Sequence, residues 1–239
     1  MFLSSSLSVA LDRIAERVAD VRRAYTPGAV PAHDDVATAS ATSTFTFDPL
    51  AVAPPEGTYF VVDEQGRRVY SRDGSLSLRD GALVDSGGRP ICGVTSRDTA
   101  LHELRVDPVD EALGRVSDAA IQKDGTLVYR RATVDPRSGN REAQRIVVGR
   151  IALARFPAGT RLESSDGSHM VPPDGTSAQF GLPSDGKFGA LAPMQRERSR
   201  VDVDESLARL TDAYFAFEAL QAAEAAKGHL GKTAMDLLK

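Results

Sequence analysis

The chain has one cysteine, Cys92, no tryptophan and four histidines among its 239 residues. A single thiol makes no internal disulfide. His33, His102, His169 and His229 stand far apart with no cysteine or carboxylate at ligand spacing, so neither a disulfide frame nor a metal site is expected. No stretch approaches the ~20 apolar residues of a membrane span. Met1 to Leu11 is Ser-rich and lacks a basic n-region, and it runs into Asp12-Arg13 without a small-residue cleavage site, so no cleaved Sec signal is expected. The formal net charge is -4 with both signs spread along the chain, which leaves no basic stripe for nucleic acid or an anionic membrane.

What is present is enough for a folded core, since 41% of the residues are hydrophobic. In residues 1–27 the apolar positions Leu7, Leu11, Ile14, Val18, Val21 and Tyr25 follow a 4-3-4-3-4 spacing, the stripe of an amphipathic heptad helix. Thr26-Pro27-Gly28 ends it, because proline and glycine do not continue a helix. Residues 28–46 turn to Ala, Pro, Asp, Ser and Thr without periodicity and read as a flexible connector.

Residues 47–191 are punctuated by turn signals between short β-type runs. Asp73-Gly74 divides Val69-Tyr70-Ser71 from Leu76-Ser77-Leu78, Asp80-Gly81 divides that run from Ala82-Leu83-Val84, and Asp124-Gly125 divides Ala120-Ile121 from Leu127-Val128-Tyr129. The run Arg145 to Phe156 is the most strand-like, with a bend expected at Gly149. Many short strands without alternating helices predict a mainly β, antiparallel central domain.

Residues 192–201 form a second connector, and 202–239 a second amphipathic helix. Asp202 with Glu205 three residues on gives a cap and a capping-box partner. Val203, Leu207, Leu210, Tyr214 and Phe217 repeat at 4-3-4-3 spacing, and a second register from Leu220 follows a three-residue offset. The fold class is therefore a β-rich centre flanked by two heptad helices, which pair with each other as a coiled coil or with neighbours in an assembly.

Constellations that carry chemistry are thin. Asp202, Asp204 and Glu205 are explained by helix capping, since acidic residues favour a first turn. Ser164-Ser165-Asp166 and His169 hold the residue types of a nucleophile system but lack a nucleophile elbow. Gly87-Gly88 is followed by no Gly-Lys-Ser/Thr and reads as a turn. Cys92 reads as a small buried side chain. No catalytic residue, cofactor, metal or small-molecule substrate is expected.

Pro49-Leu50-Ala51-Val52-Ala53-Pro54-Pro55-Glu56-Gly57-Thr58-Tyr59-Phe60-Val61-Val62, then Val69-Tyr70-Ser71-Arg72-Asp73-Gly74-Ser75-Leu76, is similar to the Gly-aromatic-aromatic-Val strand and Tyr-Thr-Arg-x-Gly-Ser-Phe hairpin of the bacterial flagellar rod and hook family. Gly81 to Gly93 is similar to the segment that follows, and Val148 to Pro157 to the strand closing the family's central domain. Ser199-Arg200-Val201-Asp202, leading to Ala213-Tyr214, resembles the Ser-Asn-Val-Asp start of its C-terminal helix. Two adjacent motifs depart: the family's Asn-Asn-Leu-Ala-Asn-Val reads Glu16-Arg17-Val18-Ala19-Asp20-Val21 here. Its Thr-x-Gly-Phe-Lys is likewise replaced, by Arg22 to Gly28.

The resemblance implies an axial subunit of the flagellar basal body, spanning the periplasm and exported uncleaved by the flagellar type III apparatus. Its partners would be further copies and other rod or hook proteins. Its self-assembly interface would be the two stripes, Leu7, Leu11, Ile14, Val18 and Val21 with Leu207, Leu210, Tyr214 and Phe217. The rival readings are a β-rich binding module with a helical oligomerisation stalk, and a hydrolase using His169 or the acidic cluster.

Overall fold

The structure, a computed structural model of the chain, describes residues 5–25, 27–29, 42–95, 98–134, 141–160, 162–165, 168–199 and 201–237. It separates into two units, a helical one from residues 1–25 and 201–239 and a β-rich one from residues 26–200. The fold is mainly β, with antiparallel sheets between an N-terminal and a C-terminal helix.

In the helical unit, α1 (Ser5–Arg23) and a longer α3 (Val203–Leu237) lie side by side. At 1.5 Å per residue α3 exceeds α1 by about 24 Å, so part of it extends past its neighbour. Apolar residues gather on one face of α1. Over the full length of α3 they do not, which is the effect of the register offset near Leu220. Asp202 caps α3 by accepting from the Glu205 amide at 3.0 Å. Glu205 does not reach back as a capping-box partner. Its carboxylate takes Arg209 one turn on, at 2.7 Å.

Among the described residues the β unit holds two larger sheets and three ribbons, all antiparallel. Strands β1 (Ser43–Phe45), β2 (Val52–Ala53), β3 (Tyr59–Glu64), β4 (Arg67–Ser71), β5 (Ser77–Arg79), β6 (Ala82–Val84), β7 (Cys92–Val94) and β8 (His102–Glu103) come first. The short helix α2 (Pro108–Ala112) follows, then β9 (Val116–Ile121), β10 (Thr126–Val134), β11 (Arg141–Ile151) and β12 (Leu153–Arg155). Last are β13 (Glu163–Ser164), β14 (His169–Val171), β15 (Gln179–Gly181), β16 (Ala192–Pro193) and β17 (Gln195–Glu197). One sheet runs β13-β14-β4-β3-β12-β15 and the other β8-β7-β11-β10-β9, while β1-β17, β16-β2 and β5-β6 are ribbons.

The chain changes sheet at Ala152, whose amide donates to the Cys92 carbonyl at 3.1 Å. Ile151 on one side and Leu153 on the other are fully buried, so the corner sits in the core. Phe60, Val62, Val69, Leu83, Ile91, Leu104, Leu127 and Ile151 belong to that core. The bend expected at Gly149 is present as a register shift, with Val128 opposite Val147 and Leu127 opposite Gly149.

Two of the three predicted hairpin turns form. Asp80 and Gly81, with φ of 47° and 72°, close β5 on β6, and the Asp124-Gly125 turn closes β9 on β10. Asp73-Gly74 is not a hairpin: β4 pairs with β3 and β14, and β5 only with β6. The segment is buried, and the hairpin before it turns instead at Gln65 and Gly66, with φ of 55° and 86°. The connectors also differ from the sequence reading. Ser43–Phe45, assigned to a flexible stretch, pairs with Gln195–Glu197, assigned to the second connector. Residues 30–41 of the first connector lie outside the described residues.

Candidate assembly surface and buried polar clusters

The two helical stripes are the sequence-based candidate site, and the structure leaves them half covered. Leu7, Ile14, Val18, Val21, Leu210 and Phe217 are partly buried, while Leu11, Leu207 and Tyr214 remain 39%, 45% and 52% exposed. None of the nine is fully buried. Phe215, outside the predicted stripe, is 62% exposed, and no sequence period points to it. A groove of about 370 Å³ runs between the helices, lined by Ser5, Ser6, Val9, Ala10 and Arg13 of α1 and by Ala213, Ala216 and Leu220 of α3. Small residues dominate these walls, so the helices share a shallow seam.

The charged replacement in α1 has its own local solution. Asp20 is buried, and its two carboxylate oxygens meet Arg17 at 3.3 Å and Arg23 at 3.1 Å on the same helix. The carboxylate is thus neutralised within one helix.

In the β unit the hairpin-like motif Tyr70 to Leu76 proves to be a packing motif. Arg72 is buried, and its Nε donates to Glu197 Oε2 at 2.8 Å, across 125 positions of sequence. Its Nη1 donates to the carbonyls of Pro55, at 3.2 Å, and Thr58. Asp73 accepts from the Ser75 amide at 2.9 Å and from the Ser86 hydroxyl at 2.5 Å. A side chain at Gly74 would place Cβ 1.6 Å from the Val52 carbonyl oxygen, so only glycine fits this crossing.

His169 is buried at the end of a short polar chain. Its Nε2 lies 2.5 Å from Asp85 Oδ2, and its Nδ1 lies 2.6 Å from Arg89 Nη1 and 3.0 Å from Ser168 Oγ. Arginine offers only donors, so Nδ1 accepts and the Nε2 proton points at Asp85, which makes the ring a neutral tautomer. Arg89 reaches on to Glu64 at 2.9 Å, and its own amide donates to Asp85 Oδ1 at 2.9 Å. The Asp85 to Arg89 turn, containing Gly87 and Gly88, thus closes over the imidazole. Of the sequence candidates, Ser165 donates to the His169 carbonyl, through its amide at 2.9 Å and its hydroxyl at 3.2 Å, and Asp166 lies outside the described residues. Ser168 was missed, and its hydroxyl does reach the ring. A guanidinium already occupies the same nitrogen that a nucleophile would need as base.

A second buried cluster joins α2 to the sheet, with the Tyr129 hydroxyl donating to Asp110 at 2.6 Å and Arg131 3.5 Å from the same oxygen. Burial, then the hydrogen bond and charge of Asp110, push the phenol up to about 12. Burial also pushes the Cys92 thiol up to about 11, with Asp63 adding to it, so the cysteine is a packing residue with little thiolate. Among the described residues no group of three or more His, Cys, Asp or Glu is placed to hold a metal ion. No protein-family model and no curated protein matches this chain.

Proposed function

We propose that this protein is an axial structural subunit of the bacterial flagellar basal body, a rod-like protein that polymerises through its terminal helices and catalyses no reaction. The observation that carries the reading is the division of labour along the chain. Its two ends form one helical unit whose apolar stripes stay half exposed, whereas its middle buries a core of its own. An exposed apolar row is a surface that assembly covers. In this reading the helices pair as a coiled coil, their outer apolar residues pack against neighbouring copies and other rod or hook proteins, and the chain reaches the periplasm through the flagellar type III apparatus. The ordered segments that resemble the rod and hook family supply the identity of the assembly.

The test is Leu210→Asp combined with Phe217→Asp in the full chain, expressed in cells that lack the wild-type gene. The expected result is a β-unit thermal transition within about 2 °C of wild type, no incorporation into basal bodies and no motility. Assembly of that variant would overturn the proposal. A wild-type protein that stops at a small closed oligomer in sedimentation would favour a binding module with a helical stalk.

A further inference from the structure

Two stretches of chain far apart in sequence meet at one buried arginine. Gly28, just after α1, donates its amide to the Glu197 carbonyl at 3.1 Å, and Ala29 beside it is fully buried. Gly28 has φ of +68°, and a Cβ there would lie 2.6 Å from the backbone carbonyl of Arg72. That approach is open only to glycine. Glu197, the last residue of β17, presents its carboxylate to Arg72 Nε at 2.8 Å and Nη2 at 2.5 Å. The flanking ribbon completes the arrangement, with Ser43 opposite Glu197 and the Arg198 amide on the Thr42 carbonyl at 2.8 Å.

We propose that Arg72 and Glu197 form a clasp that holds, at one point of the β unit, the segment arriving from α1 and the segment leaving for α3, so that both loosen together when it opens. One residue, Glu197, binds both sides, its carbonyl taking Gly28 and its carboxylate taking Arg72. Dehydrating two charges is costly, and an apolar pair of similar volume is often as stable, so stability alone is a poor reason for an ion pair here. What the pair adds is direction and register. The guanidinium is fixed by the Pro55 and Thr58 carbonyls and lies 5.6 Å from the Tyr59 ring centre. Glu197 therefore has one place to dock, and Gly28 follows it.

Hydrogen exchange on the full chain separates a clasp from an ordinary buried ion pair. In Arg72→Met/Glu197→Leu, which removes both charges and keeps the volume, amides of residues 28–29 and 195–198 should exchange at least ~10-fold faster, as one cooperative opening. Amides of β3 and β4 should change by less than ~3-fold. Glu197→Gln, which leaves Arg72 charged and unmatched, should loosen the same two segments further. Loosening of one segment without the other, unchanged protection of both, or an equal loss across β3 and β4 would each overturn the clasp. If Glu197→Gln does not fold, the double variant alone decides. Failure of both to fold would make the pair part of the core's stability and overturn the proposal as well.

Discussion

The two units treat their apolar residues differently. In the β unit Phe60, Val62, Leu83, Ile91, Leu104, Leu127, Ile151 and Leu153 lose all contact with solvent. In the helical unit Ala10 and Val201 are the buried apolar residues among those described, and the larger side chains stay at least partly open. A heptad stripe therefore does not show by itself how much it is covered. Strands of both larger sheets send apolar residues into one shared core in the β centre, while α1 offers α3 a single, shorter neighbour. The comparison can be broken at either end, and the largest effect is expected where the β unit depends on segments that look like connectors.

A fragment of residues 42–199 retains β1, β16 and β17, whereas residues 47–191 lack all three and lack Glu197. Both should be compared by denaturant unfolding. The shorter fragment is expected to be less stable by about 3–5 kcal/mol, because breaking a buried pair from one side leaves an uncompensated charge, here Arg72. Equal midpoints with equal slopes would show that the ribbon and its ion pair contribute nothing to the β unit, and would blur its contrast with the helices.

Next in size is an alkaline effect confined to the β unit. The Tyr129 phenol, ordinarily near 10, is pushed up to about 12 in the fold. The folded state then keeps a proton that the unfolded chain gives up, so this group's contribution is full below pH 10 and lost as pH rises from 10 to 12. Tyr129→Phe removes the donor to Asp110 and should cost about 1–3 kcal/mol at pH 8. It should also flatten the decline between pH 10 and 12. Burial raises the Tyr70 phenol too, which leaves the variant a residual slope. An unaltered decline in the variant, read from urea midpoints at several pH values, would remove Tyr129 from the account.

What could be read from sequence follows the range over which each signal acts. The helices, the Asp80-Gly81 and Asp124-Gly125 turns, the bend at Gly149 and the Asp202 cap are local, and each shows as a period or a short residue pair. The Gln65-Gly66 turn was missed because glutamine lacks the usual signature of a residue with positive φ. Pairing of Ser43 with Glu197 has no local trace, and three-residue strands carry too little pattern to be told from connectors. The same holds for buried polar partners. Arg72, Glu197, Asp85 and His169 look like surface residues until distant segments are brought together, and Asp73-Gly74 looks like a turn until Val52 is placed against it. Of the candidate site, the stripes were legible as apolar faces. Their incomplete covering was not, because it depends on the length of the neighbour.

The smallest effect is expected from the stripe itself, and it sharpens the comparison most. A buried leucine cut to alanine costs about 2–5 kcal/mol, from lost transfer energy and the cavity left behind. Leu207 is 45% exposed, so part of its side chain already meets water and its removal opens a surface notch instead of a cavity. Leu207→Ala in the dilute, unassembled protein should therefore cost less than about 1 kcal/mol, helped by the higher helix propensity of alanine. The measurement is the unfolding midpoint of the helical unit, followed by exchange of the α3 amides and kept apart from the β transition. A cost near that of a core leucine would mean the helices bury their stripe within one chain, leaving little apolar surface for neighbours. A small cost in the free protein together with lost assembly would locate the contribution of Leu207 between subunits.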